Sequence, residues 1–223
     1  MRWLALLLAC AACRGKPAVP ILNYHSVGAQ ADDYTVTEAQ FARQLDWLRS
    51  AGIETLRLHD ALAPHPRAVV LTFDDGKEDA ITRVLPALQQ RGMRAAFFIP
   101  TALVGQPGYL NWDQIRALAK AGMEIGSHSV DHARLPDLSE EQVRAQLVES
   151  KRALEEQLRA PVDLLAYPYN SVRRRVRDAA AAAGYRIAVS GVAHGGSDPL
   201  DLLRVGVSGL TTDEQFRGIA SSH

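Results

Sequence analysis

The chain has 223 residues, 47% of them hydrophobic, which suffices for one sizeable α/β domain and is too short for two of ordinary size. Its 25 lysine and arginine residues balance 25 aspartate and glutamate residues, so no net charge attracts nucleic acid or an anionic membrane surface. We therefore expect a neutral partner and no nucleic acid.

The N-terminus resembles a bacterial export signal. A short basic start precedes the apolar stretch 3–12, which is shorter than the about 20 apolar residues that a membrane-spanning helix needs. Cys10 and Cys13 follow small or apolar residues, as in lipoprotein signals whose cysteine becomes the lipid-bearing first residue. We predict an export signal over residues 1–19, cleaved before Cys10 or Cys13, and a periplasmic or outer-membrane lipoprotein. Cleavage without lipid is the alternative, and in both cases the mature domain has no internal disulfide.

After the signal, short β-rich runs alternate with helical patterns, which predicts one βα-repeating domain over residues 20–223. Eight strands are predicted, over residues 21–24, 53–56, 69–73, 95–99, 123–126, 164–167, 187–190 and 203–207. Helix start signals of the capping-box kind are the pairs Thr37 and Gln40, Asn111 and Gln114, and Ser139 and Gln142. Four helices are predicted to end at a glycine, namely Gly52, Gly92, Gly122 and Gly184.

Side chains with useful chemistry follow several of these strands directly. They are His25, Asp74, Asp75, His128 and Tyr169, which lie just beyond the first, third, fifth and sixth predicted strands. In parallel βα folds, the residues beyond the carboxyl ends of the strands converge at one mouth. We therefore expect these five side chains to build one site.

The run Thr72-Phe73-Asp74-Asp75-Gly76 places two adjacent carboxylates at a strand end. Neighbouring side chains of a strand point to opposite faces, so both acids serve one site only if the backbone leaves strand geometry, which Gly76 permits. One carboxylate can then hold a metal while the other accepts a proton. A turn that simply reverses the chain is the alternative.

His128 and His132 are four residues apart directly after a strand. This spacing predicts two imidazoles on the same side of a helical turn, an arrangement common in transition-metal sites. Together with Asp75 they offer two nitrogens and one oxygen with open positions, which is typical of catalytic zinc. Zinc is the expected divalent cofactor, although cobalt, nickel and iron accept the same ligands.

These two motifs, in this order, resemble the signature of the polysaccharide deacetylase family, also called the NodB-homology or carbohydrate esterase family 4 domain. The resemblance covers nearly the whole mature chain and implies an α/β fold, a distorted (β/α) barrel of about seven strands. It also implies hydrolysis of an N-acetyl group on a polysaccharide, with Asp74 as the base. The implied metal ligands are Asp75, His128 and His132. The expected contact with a membrane is the lipid anchor alone, and the sequence leaves the oligomeric state unknown.

A third motif departs from the family pattern. The Tyr-Pro-Tyr-Asn run at 167–170 resembles the family's Pro-Tyr-Gly turn, whose tyrosine backbone amide helps to bind the oxyanion, and this assigns that part to Tyr169. Asn170 replaces the glycine but tolerates left-handed geometry, and the arginine that often opens the motif is missing. The Leu-x-His that usually supplies the general acid is missing too, since neither His194 nor His223 fits it.

The N-terminal run at 23–26, Asn-Tyr-His-Ser, offers another acid. It resembles the circularly permuted branch of the family, the deacetylases of biofilm poly-β-1,6-N-acetylglucosamine, in which an N-terminal histidine takes that part. The run at 203–205, Leu-Arg-Val, is similar to the same branch. We therefore assign His25 as the general acid and Arg204 as the partner that orients Asp74.

Two other functions remain open from the sequence. The first is a catalytically silent, glycan-binding surface lipoprotein, which the departures favour, although binding alone would require neither Asp74 nor all three metal ligands. The second is a glycosidase, which needs two carboxyl groups about 5 Å or more apart across a sugar, and adjacent residues do not readily provide that. The sequence does not choose among poly-N-acetylglucosamine, chitin-like oligomers, peptidoglycan and acetylated xylan, although the permuted branch favours the first.

Overall fold

The computed structural model of the protein describes residues 19–191 and 198–222. The predicted signal with Cys10 and Cys13 lies outside the described residues, as do His194 and His223. None of the helices in the described ranges combines the length and the apolar character needed to cross a bilayer.

Strands and helices alternate along the described residues. The strands are β1 (Ile21–Tyr24), β2 (Ser26–Gly28), β3 (Thr35–Thr37), β4 (Glu54–Thr55), β5 (Ala68–Phe73), β6 (Ala96–Ile99), β7 (Glu124–Ser127), β8 (Leu164–Ala166), β9 (Ile187–Ser190), β10 (Leu202–Leu203) and β11 (Val205–Gly206). The α-helices are α1 (Glu38–Ser50), α2 (Leu85–Gln89), α3 (Trp112–Lys120), α4 (Glu140–Leu158), α5 (Arg174–Ala182) and α6 (Asp213–Ala220). A π-helical turn, Ala80–Val84, leads into α2.

The eight predicted strands agree with the observed ones to within one residue at each end. The predicted strand at 203–207 corresponds to β10 and β11, which Arg204 separates. The predicted capping boxes are present at the starts of α3 and α4. At α1 the Thr37 side chain caps the helix, but the Gln40 side chain donates to backbone carbonyls at Gly209 and Thr211 instead.

The main sheet closes almost completely into a barrel. Its strands are parallel throughout and follow the order β10-β9-β8-β7-β6-β5-β1-β11. The two edge strands β10 and β11 are consecutive in the chain, so residues 202–206, the closing segment, join β9 to β1. Six strands and this segment form the ring, which confirms the predicted distorted (β/α) barrel.

Alternate strand residues face two different apolar environments, as the pleat of a strand requires. Val70, Phe98 and Val189 point into the barrel and form one cluster. Leu71 and Phe97 point outward and pack against the helices α1, α2 and α3. A third cluster joins β8 and β9 to α4 and α5. Each fully buried side chain of this size contributes about 1.5–3 kcal/mol to folding, so the barrel is a rigid support for the residues at its mouth.

The four predicted glycine turns lie at the opposite end of the barrel from that mouth. All four glycines adopt positive φ between 65° and 86°, namely Gly52, Gly92, Gly122 and Gly184. Each follows a helix and precedes a strand, so these turns mark the amino ends of the strands. The carboxyl ends, where the candidate residues lie, therefore share the other end.

Candidate active site

Asp74 and Arg204 form a buried ion pair at the mouth of the barrel. Asp74 follows β5, and its backbone N–H donates to the Tyr24 carbonyl at 3.0 Å. Its side chain is 3% exposed and accepts two hydrogen bonds of 2.7 Å, one from each terminal nitrogen of Arg204. The Arg204 backbone N–H donates to Ser190 at the end of β9 at 2.8 Å, which fixes the residue within the closing segment.

The remaining contacts of the Arg204 guanidinium hold it in one orientation. Nη1 also donates to the Thr72 hydroxyl at 3.1 Å, and Nη2 donates to Asn170 Oδ1 at 2.9 Å. The guanidinium carbon lies 5.6 Å from the centre of the Phe98 ring. Its Nε is buried and has no hydrogen-bond partner among residues 19–191 and 198–222. The sequence does not predict the hydrogen bond from Arg204 to Asn170, because it indicates only that Asn170 can replace the glycine of the turn.

The charges around Asp74 determine its ionisation. Burial raises the pKa of this carboxyl, but the positive charge of Arg204 and the hydrogen bonds from its guanidinium outweigh that effect. The net result is a pKa well below the usual range of aspartate. Asp74 is therefore a carboxylate at neutral pH, as a proton acceptor must be.

Asp75, His128 and His132 form a three-residue cluster beside this ion pair. One ligand atom from each lies within 4.8 Å of the others. Asp75 Oδ1 is 3.7 Å from His128 Nε2 and 3.4 Å from His132 Nε2. Two imidazole nitrogens and one carboxylate oxygen are a donor set suited to a divalent cation such as zinc, and they leave positions open for water and substrate.

The tautomer of His128 supports this donor set. Its Nδ1 lies 2.8 Å from the Ala166 carbonyl oxygen, which can only accept, so Nδ1 carries the hydrogen and Nε2 presents a lone pair to the cluster. Burial lowers the pKa of His128 and outweighs the attraction of Asp74, which favours the neutral imidazole that a metal requires.

The backbone is left-handed at several of these positions. Asp75 has a φ of 70°, so the chain leaves strand geometry at this residue itself, one position before Gly76. Ser129 and His132 have φ of 66° and 63°. The predicted helical turn is therefore wrong, because an irregular loop carries the two histidines. In this loop the Ser129 hydroxyl accepts a hydrogen bond from the His132 N–H at 3.1 Å. The loop still brings the rings of His128 and His132 within 4.8 Å of each other.

The turn at Tyr169 and Asn170 adjoins His132. Both residues are left-handed, with φ of 57° and 52°, so the turn expected from the family's Pro-Tyr-Gly motif is preserved. The Tyr169 side chain is 64% exposed, and its ring centre lies 4.7 Å from that of His132. The role of the Tyr169 backbone amide in oxyanion binding stays a prediction.

His25 lies between β1 and β2 and is partly buried. It lies close enough to Asp74 for a charge on its ring to act on that carboxylate. Its ring meets the ring of Tyr34 at a centre distance of 5.3 Å and an angle of 77°. Its role as general acid stays a prediction.

Asp79, which the sequence did not single out, supports the segment after His25. Its carboxylate accepts from the Val27 N–H at 2.7 Å and from the Ser26 hydroxyl at 3.0 Å. Burial raises the pKa of Asp79 despite these hydrogen bonds. It follows the metal-ligand motif by only a few residues, but no spacing rule connects it with β2.

Comparison with known proteins identifies the class of this protein. The sequence model described as polysaccharide deacetylase matches residues 61–188, which is more than half of the chain. The chain therefore belongs to the polysaccharide deacetylase family, as its motifs indicated.

Two curated relatives cover most of this chain. YxkH of Bacillus subtilis, named as a candidate polysaccharide deacetylase, is 29% identical over 183 residues, which are 78% of this chain and 65% of YxkH. A poly-β-1,6-N-acetyl-D-glucosamine N-deacetylase of Staphylococcus aureus is 27% identical over 168 residues, which are 66% of this chain and 58% of that enzyme. The chain thus spans less than two thirds of the length of these relatives.

Solved structures share the fold. The deacetylase PplD of Streptococcus pyogenes, in complex with acetate, superposes with a TM-score of 0.83 at 24% identity and covers 91% of this chain and 97% of PplD. A polysaccharide deacetylase from Bacillus cereus superposes with a TM-score of 0.80 at 25% identity, covering 91% of this chain and 68% of that protein. Both likenesses support the barrel described above.

Proposed function

We propose that this protein is a metal-dependent polysaccharide N-deacetylase that removes acetyl groups from a glycan containing N-acetylglucosamine. The observation that carries the proposal is a buried carboxylate, Asp74, held by Arg204 directly beside the cluster of Asp75, His128 and His132. A binding protein would have no need of an oriented, ionised carboxylate next to a cation site.

The cation would be held by Asp75, His128 and His132, with zinc as the first choice, and it would supply Lewis-acid activation of water and of the acetyl carbonyl. Asp74 accepts the proton of the attacking water. Its Oδ2 lies 4.0 Å from His128 Nε2, so the carboxylate borders the ligand set. Arg204 keeps Asp74 aimed at that space, because two parallel hydrogen bonds favour one orientation of the carboxylate.

Two further residues complete the reaction. The backbone N–H of Tyr169 donates to the oxyanion of the tetrahedral intermediate, a task that suits a donor fixed before the charge develops. His25 donates a proton to the departing amine, so that water and an acetamide become acetate and a free amine. The amine is protonated at neutral pH and gives the polymer a positive charge that changes how it adheres in a biofilm.

The substrate and the location belong to the same proposal. The Staphylococcus aureus relative is named for a β-1,6-linked polymer of N-acetylglucosamine, which supports this polymer as the first substrate to test. Residues 1–19 would export the chain, and a lipid on Cys10 or Cys13 would keep it in the periplasm or at the outer membrane. There it would meet a polymer on its way out of the cell.

The test is acetate release by the purified chain from a panel of acetylated glycans, with and without added zinc or cobalt. We expect metal-dependent release from the β-1,6-linked polymer, and loss of turnover in Asp74→Asn while bound metal, measured by elemental analysis, is retained. Full activity of Asp74→Asn would refute the assignment of the base. Glycan binding without release from any member of the panel would favour the silent glycan-binding function instead.

A further inference from the structure

Tyr34 is an exposed aromatic residue that touches the candidate site. The residue is 64% exposed, so most of its surface is open to water. The ring packs against that of His25, the proposed general acid, at 5.3 Å. An exposed aromatic ring beside reacting groups is a common feature of ligand-binding surfaces.

The backbone that presents this ring is held in place. The carboxylate of Asp32 accepts from the N–H groups of Tyr34 at 2.8 Å and Thr35 at 2.6 Å. These backbone hydrogen bonds lower the pKa of Asp32, so the carboxylate stays charged and the turn stays formed at neutral pH. The Tyr34 carbonyl also accepts from the Ser26 N–H at 3.1 Å, where β2 and β3 pair in parallel.

Gly209 packs closely against the loop that contains Asp32 and Tyr34. Its N–H donates to the Asp32 carbonyl at 2.9 Å. A Cβ at this position would lie 2.4 Å from the Thr35 carbonyl oxygen and 2.7 Å from the Asp32 nitrogen, so only glycine allows the two loops to approach so closely. The ring of Tyr34 therefore stands in water on an ordered loop, and little conformational entropy remains to be lost when a ligand covers it.

A second exposed tyrosine adjoins the candidate site. Tyr169 is also 64% exposed, and its ring lies 4.7 Å from that of His132. One exposed tyrosine thus adjoins the proposed general acid, and another adjoins a proposed metal ligand.

We propose that Tyr34 is a substrate-binding residue that packs its ring against the apolar face of a sugar on the His25 side of the site. The proposal rests on the proposed function, since it takes the ligand to be a glycan of N-acetylglucosamine units. Sugar rings expose C–H groups on their faces, and an aromatic ring with a polar tip suits such a surface at the edge of water. Tyr34 would thereby help to select a polymer over an isolated acetamide.

The experiment compares Tyr34→Ala with the unsubstituted chain on a β-1,6-linked pentamer of N-acetylglucosamine, in the presence of zinc. We expect the KM for the pentamer to rise about tenfold, the size expected for a lost aromatic contact, with little change in kcat. Tyr34→Phe keeps the ring and should restore the KM. Leu62→Ala is the control, because Leu62 is an exposed apolar residue, 41% exposed, outside the site. Thermal unfolding checks that each variant is folded, and Tyr34→Leu replaces Tyr34→Ala if the latter is not.

The outcomes separate this inference from the proposed function. If Tyr34 only supports His25, Tyr34→Ala lowers kcat and shifts the pH profile while the KM stays unchanged, which would overturn the inference. Binding of the pentamer, measured by calorimetry in the Asp74→Asn background, reports on Tyr34 even when no acetate is released. Equal affinity with and without Tyr34→Ala, or no binding at all, would also overturn it. Failure of acetate release with a Tyr34-dependent affinity would instead refute only the proposed function.

Discussion

Arg204 lies between the two halves of the closing segment, and its guanidinium donates two parallel hydrogen bonds of 2.7 Å to the carboxylate of Asp74. The arginine side chain is fully buried and the carboxylate nearly so. The residue that joins β9 to β1 thus also aims the proposed base. One residue thus takes part in closure of the barrel through its backbone and in orientation of the base through its side chain.

Removing Arg204 should therefore destabilise the fold as well as abolish activity. Arg204→Met leaves Asp74 as a buried charge without its partner, which typically costs about 3–5 kcal/mol in free energy of unfolding. Denaturant unfolding measures the loss. The control is the double variant Asp74→Asn, Arg204→Met, which removes both charges and should recover most of the stability. A double variant as unstable as Arg204→Met would show that the charge of Asp74 is not the cause.

The left-handed backbone of Asp75 should oppose stability in the metal-free chain. Asp75→Gly accepts a φ of 70° without strain and removes a carboxylate adjacent to Asp74, so we expect a higher midpoint of thermal unfolding and loss of zinc affinity. Asp75→Ala is the matched control, because it removes the carboxylate and retains the strain. The glycine variant should be more stable than the alanine variant by about 1 kcal/mol. Equal stability of the two would contradict a strained backbone.

Asp79 should act as a positioning residue for His25. Asp79→Ala leaves the buried N–H of Val27 without its acceptor, which costs about 1–3 kcal/mol, and it releases the strand that follows His25. We expect a lower kcat for acetate release with unchanged zinc content. The exposed Asp60 provides the control variant Asp60→Ala. If Asp79→Ala resembled this control in both stability and kcat, the support of β2 by Asp79 would be unimportant.

His59, which lies at the amino ends of the strands, should make the stability of the fold depend on pH. Its Nδ1 lies 2.5 Å from Glu124 and its Nε2 lies 2.8 Å from Asp163, while Arg57 also contacts Glu124 at 3.3 Å. The hydrogen bond to Glu124, followed by that to Asp163, raises the pKa of His59 against the effect of burial. Protonated His59 therefore stabilises the fold fully below the ordinary histidine pKa of about 6.5, and this contribution disappears as the pH rises through the raised pKa.

The variant His59→Gln tests this dependence. Relative to the unsubstituted chain, it should lose more thermal stability at about pH 5.5 than at about pH 9, because the ion pairs exist only in the protonated form. His65→Gln is the control, since His65 lies 3.9 Å from a single carboxylate, that of the exposed Glu54. If His59→Gln lost the same thermal stability at both pH values, packing rather than charge would explain the role of His59.

Much of the barrel and of the cluster followed from the sequence because both depend on local patterns. A strand such as β5 is six buried residues that end at Asp74, and the carboxyl ends of parallel strands must meet. The assignment of Arg204 to Asp74 came from a resemblance alone, and the structure places the two residues in contact across 130 positions of the chain.

The features that the sequence did not reveal depend on long-range geometry. β2 and β3 have three residues each, too few to show a periodicity, and the carboxylates of Asp79 and Asp32 accept hydrogen bonds from their backbones. The hydrogen bond from Arg204 to Asn170 joins two loops that no local pattern connects. The loop that carries His128 and His132 has the four-residue spacing of a helix without being one, because Ser129 and His132 adopt left-handed conformations.

The closing segment has a consequence for incomplete chains. All three proposed metal ligands precede residue 133, whereas the partner of Asp74 arrives only with residues 202–206. A chain that stopped short of the last strands would possess the cation-binding residues and lack an aligned base. The residues proposed to hold the cation and the residue that aims the base are therefore separate along the polypeptide, and they meet in one site only when residues 202–206 close the ring.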